Sequence, residues 1–313
     1  MTATIRTVDG DIEAPPEGIV LPHEHLLIDH GIPRGEPRAL VDGSLLDRVS
    51  RGVVRARDAG VVVLVDCTPP GYGRYLDVLR DVARRAGVAI VAATGSFTEE
   101  WAPLPWWVRG TDVAALAEWF ARELSEGAGD TTIPAGVIKC ATGSAWSDEE
   151  ERVLRAAGRA QAATGRPIVG HTTAGLGLEQ LDVYEEEGAD AARVVISHVG
   201  FEDDPVPYAV AIAERQAYVG LDRIGHHHFF ADDHWVRLVL ELLERGHGDR
   251  VLLSHDAVTR FSGPEDIAAK TFSDYTYLAT RFLPRLREAG VDDATLDALT
   301  RRNPGRWLTG AGA

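Results

Sequence analysis

Lysine is almost missing from this 313-residue chain, which carries only Lys139 and Lys270 and uses arginine everywhere else for positive charge. Lys139 lies inside "VIKCA", an apolar run that reads as a buried strand. Arginine keeps its proton in a protein, whereas a buried lysine amine can lose it and become a nucleophile. Cysteine is equally scarce. Cys67 and Cys140 each sit in a strand-like apolar run and read as reduced core residues, not as a disulfide framework. No apolar stretch approaches the roughly 20 residues of a membrane span. The opening "MTATIRTVDG" lacks the apolar centre of a secretory signal, so a soluble cytoplasmic protein is expected. Positive charge is in deficit. The formal net charge of −16 weighs against nucleic acid and anionic membranes as partners and leaves a small molecule. No G-x-G-x-x-G follows the first strand, which disfavours a doubly wound dinucleotide-binding sheet.

What is present is a regular alternation. Short apolar runs occur at "GIVLPHEHL", "VVVLVDCT", "AIVAATGSF", "AGVIKCAT", "PIVGHTTA", "VVISHVG", "AYVGLD" and "VLLSHDA". Near-continuous runs of this kind suit parallel strands buried on both faces. Helical patterns separate them, several ending in a glycine cap, as in "YLDVLRDVARRAG" and "DEEERVLRAAGRAQAATG". Eight such alternations without a long linker predict a (β/α)8 TIM barrel of the α/β class, one domain over residues 1–313.

Active sites in such barrels form at the C-terminal ends of the strands. The ionisable residues late in the runs are His23 and His25 in "LPHEHL", Lys139, His171 in "IVGHTT", His198 in "VISHVG" and Asp256 in "LLSHDA". Side chains two apart on a strand share a face, so His23 and His25 face inward together and Glu24 points away. Two imidazoles and a carboxylate can hold one zinc-like ion, and two further histidines a second. Paired metals need a bridging anion. Lys139 can supply one, because a neutral amine adds carbon dioxide to give a carbamate, N6-carboxylysine. His255 should face the other side of its strand, and Cys140 should point away from the barrel axis. His30, His234 and His247 read as structural or exposed, and His226, His227 and His228 in "GHHHFF" as a solvated loop.

These motifs, with "HTTAGLGLEQLDVYEEEGAD", "GLDRIG" and the final "NPGRWL", resemble the phosphotriesterase family of the amidohydrolase superfamily across almost the whole chain. The resemblance implies a binuclear, usually zinc, hydrolase. His23, His25 and Asp256 would hold the buried metal and His171 and His198 the more exposed one, with carboxylated Lys139 and a hydroxide between them. It also implies a homodimer. "GLDRIG", with Arg223, is similar to the lactonase-type branch. Two positions depart from that branch. Phe97 stands where lactonase-like members often carry Tyr, and Phe201 where members often carry a relay Asp, with Glu202 and Asp203 following as candidate replacements. The expected activity is attack of the hydroxide on a lactone or carboxylic ester. Asp256 would move the proton, and Arg223, Phe97 and Trp106 would contact the substrate, with Trp101 and Trp107 walling a pocket or a subunit contact. The alternatives are a phosphotriester or N-acyl amide substrate at the same site, or a barrel that binds a ligand without catalysis.

Overall fold

A computed structural model describes residues 3–14, 17–30, 41–173, 175–262 and 272–310; Lys270 lies outside them. The chain begins with a hairpin, β1 (Thr4–Thr7) and β2 (Gly10–Glu13). Nine parallel strands follow in one sheet: β3 (Ile19–Asp29), β4 (Val61–Asp66), β5 (Ala89–Gly95), β6 (Val137–Thr142), β7 (Ile168–Thr172), β8 (Val194–Ser197), β9 (Tyr218–Leu221), β10 (Val251–Leu253) and β11 (Val258–Ser262). Each strand from β3 to β10 pairs with the next in sequence, and β11 pairs back onto β3. β10 and β11 are two halves of one interrupted strand. Between them Asp256 N donates to the His23 carbonyl (3.0 Å) and His25 N to the Ala257 carbonyl (2.8 Å), so the sheet curls into the expected α/β barrel. The hairpin and the split of the last strand are structure that the apolar runs do not reveal.

Helices α1 (Gly43–Asp58), α2 (Leu76–Ala86), α3 (Val113–Ser125), α4 (Asp148–Thr164), α5 (Gly177–Glu186), α6 (Pro205–Glu214) and α7 (Asp232–Glu244) alternate with the strands. Their ends follow local chemistry. Asp42 and Asp112 cap α1 and α3, Ser147 and Glu150 form a capping box on α4, and left-handed Gly87 and Gly165 stop α2 and α4.

The apolar interior forms two clusters. One lies between strands and helices and contains Cys140, on the outward side, as its alternation with Lys139 requires. The other fills the barrel with Val20, Val63, Val65, Val91, Val137, Val169, Val195 and Leu252, closed by Ile5, Trp307 and Leu308. Trp307 and Leu308 belong to the C-terminal helix Asn303–Thr309. Both cysteines are buried and free. No helix among the described residues is long and apolar enough to cross a membrane.

Candidate metal centre

The inward-facing valines set the phase of the site. Two residues on from Val137 is Lys139 and two on from Val169 is His171, and strand alternation brings both inward; Asp256 lies beyond β10, in the break before β11. The histidines of β3 need a correction of phase. Val20 faces the barrel interior, so simple alternation would turn His23 and His25 outward. The β3–β4 register shifts between Leu21 and Glu24, around Pro22, and this irregularity turns both imidazoles in. His198 lies just past β8 in left-handed backbone at φ 63°, and Asp256 shares that conformation at φ 54°. For residues other than glycine this conformation costs about 1–2 kcal/mol each, and such strain clusters at functional sites.

The six expected residues meet in one place, all buried. His25 Nε2 lies 3.1 Å and His23 Nε2 3.7 Å from Asp256 Oδ1, and His198 Nε2 lies 4.0 Å from Asp256 Oδ2. His198 Nε2 and His171 Nδ1 are 2.7 Å apart. Lys139 Nζ sits 2.8 Å from His23 Nε2, and no carboxylate among the described residues pairs with it. Gly95 faces Lys139 across the β5–β6 pairing at φ 102°. A Cβ there would overlap the Lys139 carbonyl, so only glycine lets the strands approach at this point.

The imidazole protons are directed away from the centre. Asp222 accepts from His23 Nδ1 at 2.7 Å and from His198 Nδ1 at 2.8 Å. His25 Nδ1 donates to the Thr68 hydroxyl (2.7 Å), which donates onward to the Leu27 carbonyl (3.2 Å). The Nε2 atoms of His23, His25 and His198 face the centre, that of His25 toward Asp256, that of His23 toward Lys139 Nζ and that of His198 toward His171 Nδ1. This is the hydrogen-bonding pattern that orients histidines as metal ligands. Burial lowers the pKa of His23 to about 3 and lowers those of His171 and His198, so all three are neutral donors at pH 7. Asp256 is held well below the carboxylate range against its burial, by Arg223 first and then His23 and His25. Asp222 is held low by its two histidines. Among the described residues two buried groups could hold a metal ion: His23, His25 and Asp256, and His23, His198 and Asp222. The first offers free lone pairs; in the second Asp222 already takes two imidazole protons. Neutral imidazoles, anionic carboxylates and a lysine without a counter-charge are a donor set that suits divalent cations.

Asp222 was passed over at the sequence level, where its neighbour Arg223 drew attention. It sits four residues on from the inward Tyr218, so the same alternation marks it. Glu24 is wholly buried and faces away as expected, accepting from Ser254 Oγ (2.8 Å), His255 N (3.0 Å), His255 Nδ1 (2.7 Å) and Ala257 N (2.7 Å). His255 accepts from Leu278 N on its other nitrogen (2.8 Å).

Over the centre opens a cavity of about 300 Å³ lined by Ile28, His30, Tyr72, Phe97, Trp101 and Phe261, with Arg223 and Asp256 at its floor. Phe97 packs 5.0 Å from the His171 ring, and Arg223 pairs with Asp256 at 2.9 Å. A neighbouring cavity of about 460 Å³ is bordered by Trp101, His171, Phe201, Glu202 and Phe229. Burial raises the Glu202 pKa. Three expectations are corrected. Trp106 is 84% exposed and lines neither cavity; Trp101 takes that place, because the turn after β5 carries Trp106 out into solvent. His226 is not solvated but buried, its Nε2 donating to the His255 carbonyl (2.7 Å), while His227 and His228 are exposed. His30, expected to be structural or exposed, lines the first cavity with its Nδ1 buried and without a partner among the described residues.

A sequence model described as the phosphotriesterase family matches residues 3–308. The chain is 35% identical to the phosphotriesterase homology protein of Mycobacterium tuberculosis over 96% of each chain. It is 28% identical to the aryldialkylphosphatase of Saccharolobus solfataricus over 95% of this chain and 97% of the other. Among solved structures, a protein engineered for organophosphate hydrolysis from a weak promiscuous lactonase template superposes with a TM-score of 0.88 at 31% identity, covering 98% of this chain and all of the other.

Proposed function

The chain belongs to the phosphotriesterase family, and we propose that within it this protein is a binuclear-metal hydrolase of neutral lactones or carboxylic esters. One observation carries the choice of substrate: the cavity over the centre is walled by Phe97, Tyr72, Phe261 and Trp101. Such walls desolvate an acyl chain or aryl group at roughly 25 cal/mol per Å² buried and offer nothing to a polyanion.

His23, His25 and Asp256 would hold one ion, and His171 and His198 the other. Lys139 as its carbamate would be shared between them, formed when the neutral amine adds carbon dioxide and releases a proton. Two divalent ions, zinc by their nitrogen-rich donors, would supply an activated water at neutral pH and a Lewis acid for the substrate oxygen. Asp222 keeps His23 and His198 in the tautomer that presents Nε2. Asp256 accepts the proton released on attack and returns it to the leaving alkoxide. Arg223, paired with Asp256, holds that carboxylate ionised until the proton arrives. Phe97 and Trp101 exclude water around the acyl arm. We further take the protein to be a cytoplasmic homodimer.

The deciding experiment compares kcat/KM for an aliphatic lactone, an aryl ester, an aryl phosphotriester and an N-acyl amino acid. The lactone or ester is expected to lead. A ten-fold or greater advantage for the phosphotriester or amide, about 1.4 kcal/mol in transition-state stabilisation, overturns the assignment. Turnover of none of them by metal-loaded protein would favour a ligand-binding barrel.

A further inference from the structure

A third cavity, of about 270 Å³, lies at the opposite end of the barrel. Its lining comes from segments that precede strands: Gly165 before β7, Asp190 and Arg193 before β8, Tyr218 at the start of β9, and Arg250 before β10, with Arg306 on the C-terminal helix. It is therefore separated from the metal centre by the valine-filled barrel interior.

On a chain of net charge −16, this cavity gathers cations. Arg193, Arg250 and Arg306 line it, against Asp190 and Asp249. Among the described residues neither aspartate forms an ion pair with Arg193 or Arg306, and the charge of Asp190 offsets the burial of Arg193 only in part. Asp190 Oδ1 is spent on the Ala192 amide (2.9 Å), and the side chain of Asp249 is 55% exposed, 3.6 Å from Arg250. Arg193 is 9% exposed, and among the described residues its one hydrogen bond runs from Nη2 to the Leu308 carbonyl (3.1 Å). Its Nε and that of Arg306 are buried without partners among the described residues, while Arg306 Nη2 donates to Asn303 Oδ1 (2.8 Å). Burial, and Arg166 next, lower the Arg193 pKa to about 10. Arg250 lies over the Tyr218 ring at 5.4 Å. Gly310, at φ 71°, keeps the space beside Arg193 clear, since a side chain there would overlap the guanidinium.

A desolvated guanidinium with unused donors costs free energy unless an anion answers it. Planar donors of this kind match the oxygens of a phosphoryl group two at a time. We propose that this cavity binds a phosphate group, free or carried on a small organic molecule, between Arg193, Arg250 and Arg306.

Titration calorimetry at low ionic strength tests this on metal-loaded protein. Inorganic phosphate, glycerol phosphate and citrate are the ligands, run against wild type, R250Q, R306Q and R193M. The two glutamine variants leave the Arg193–Leu308 bond in place and guard against R193M failing to fold. The expected result is a phosphate Kd at least ten-fold weaker in R250Q and R306Q, with ester turnover unchanged. Tighter binding of inorganic phosphate than of glycerol phosphate identifies the free ion; the reverse order identifies a phosphorylated molecule. Phosphate binding that is absent from wild type, equal in all variants, or competitive with the ester and so sited at the metals overturns the proposal. Citrate binding more tightly than either phosphate also overturns it.

Discussion

Glu24→Gln is the sharpest probe of how Asp256 is held. The carboxylate takes four hydrogen bonds from residues 254, 255 and 257 and so clamps the turn on both sides of Asp256. Glutamine keeps the shape. If its oxygen stays on the Ser254 and His255 donors, its NH2 group meets the Ala257 N–H, donor against donor. One hydrogen bond to a charged group is lost, about 1.5–3 kcal/mol, and the buried Ala257 N–H left unpaired adds a further roughly 1–3 kcal/mol. The three remaining bonds lose the strength that charge gave them. The sum is roughly 2.5–6 kcal/mol, drawn largely from the segment that keeps Asp256 at positive φ. A carboxylate displaced by about 1 Å from a reacting centre can cost of order 10²-fold in rate. Urea unfolding gives the stability change, and metal content with kcat on the same preparation gives the positional effect. An E24Q protein within about 1 kcal/mol of wild type, with kcat unaltered, would refute the clamp.

Elemental analysis of gently purified protein should find two divalent metals per chain; a reproducible value below one removes the binuclear proposal. Lys139→Ala should abolish turnover, with partial rescue by short carboxylic acids, and spectroscopic or diffraction evidence of a free amine beside two metals would contradict the carbamate. Asp256→Asn should lose ~10²–10⁴-fold in kcat while keeping much of its metal; survival within about ten-fold ends its role as proton carrier. The folded pKa values of His226 (about 3) and His30 (about 4) lie below the ordinary 6.5, burial being the first cause of each. The unfolded chain therefore binds more protons in acid. The stability these groups contribute is complete above pH 6.5 and falls away as the pH drops from there toward 3 to 4. Urea midpoints followed across that range should show a shallower decline in His226→Gln; an identical decline would mean that His226 is not the titrating group.

Much of the site was legible because strand alternation is a local code. Once "VIKCAT" and "PIVGHTT" are read as strands, the inward face of each follows, and Lys139 and His171 fall on it. The same code would have named Asp222. It does not account for His23, His25 and His198. Their inward aim depends on a register shift near Pro22 and on a left-handed residue after β8, and neither leaves a periodic trace. Loops escape the code altogether. Trp101, Trp106 and Trp107 are chemically alike, and only the path of the chain after β5 decides which one lines the cavity. His226 was misjudged for the same reason: a run of three histidines resembles solvated chain, yet its first member is held under the surface by a carbonyl from the last strand.

The break between β10 and β11 has a consequence for how the protein is made. The segment 254–257 supplies Asp256 and also bonds to β3 through His23 and His25. Joining the ends of the barrel and completing the ligand set are therefore one event, between segments more than 200 residues apart along the chain. A nascent chain still lacking its last strand has its histidines and Asp222 but neither Asp256 nor a closed ring. It can hold an ion only loosely, and contacts this distant in sequence form late and slowly. Loading of the centre should thus follow release of the chain, and whatever metal is at hand when the last strand docks is the metal the folded protein keeps.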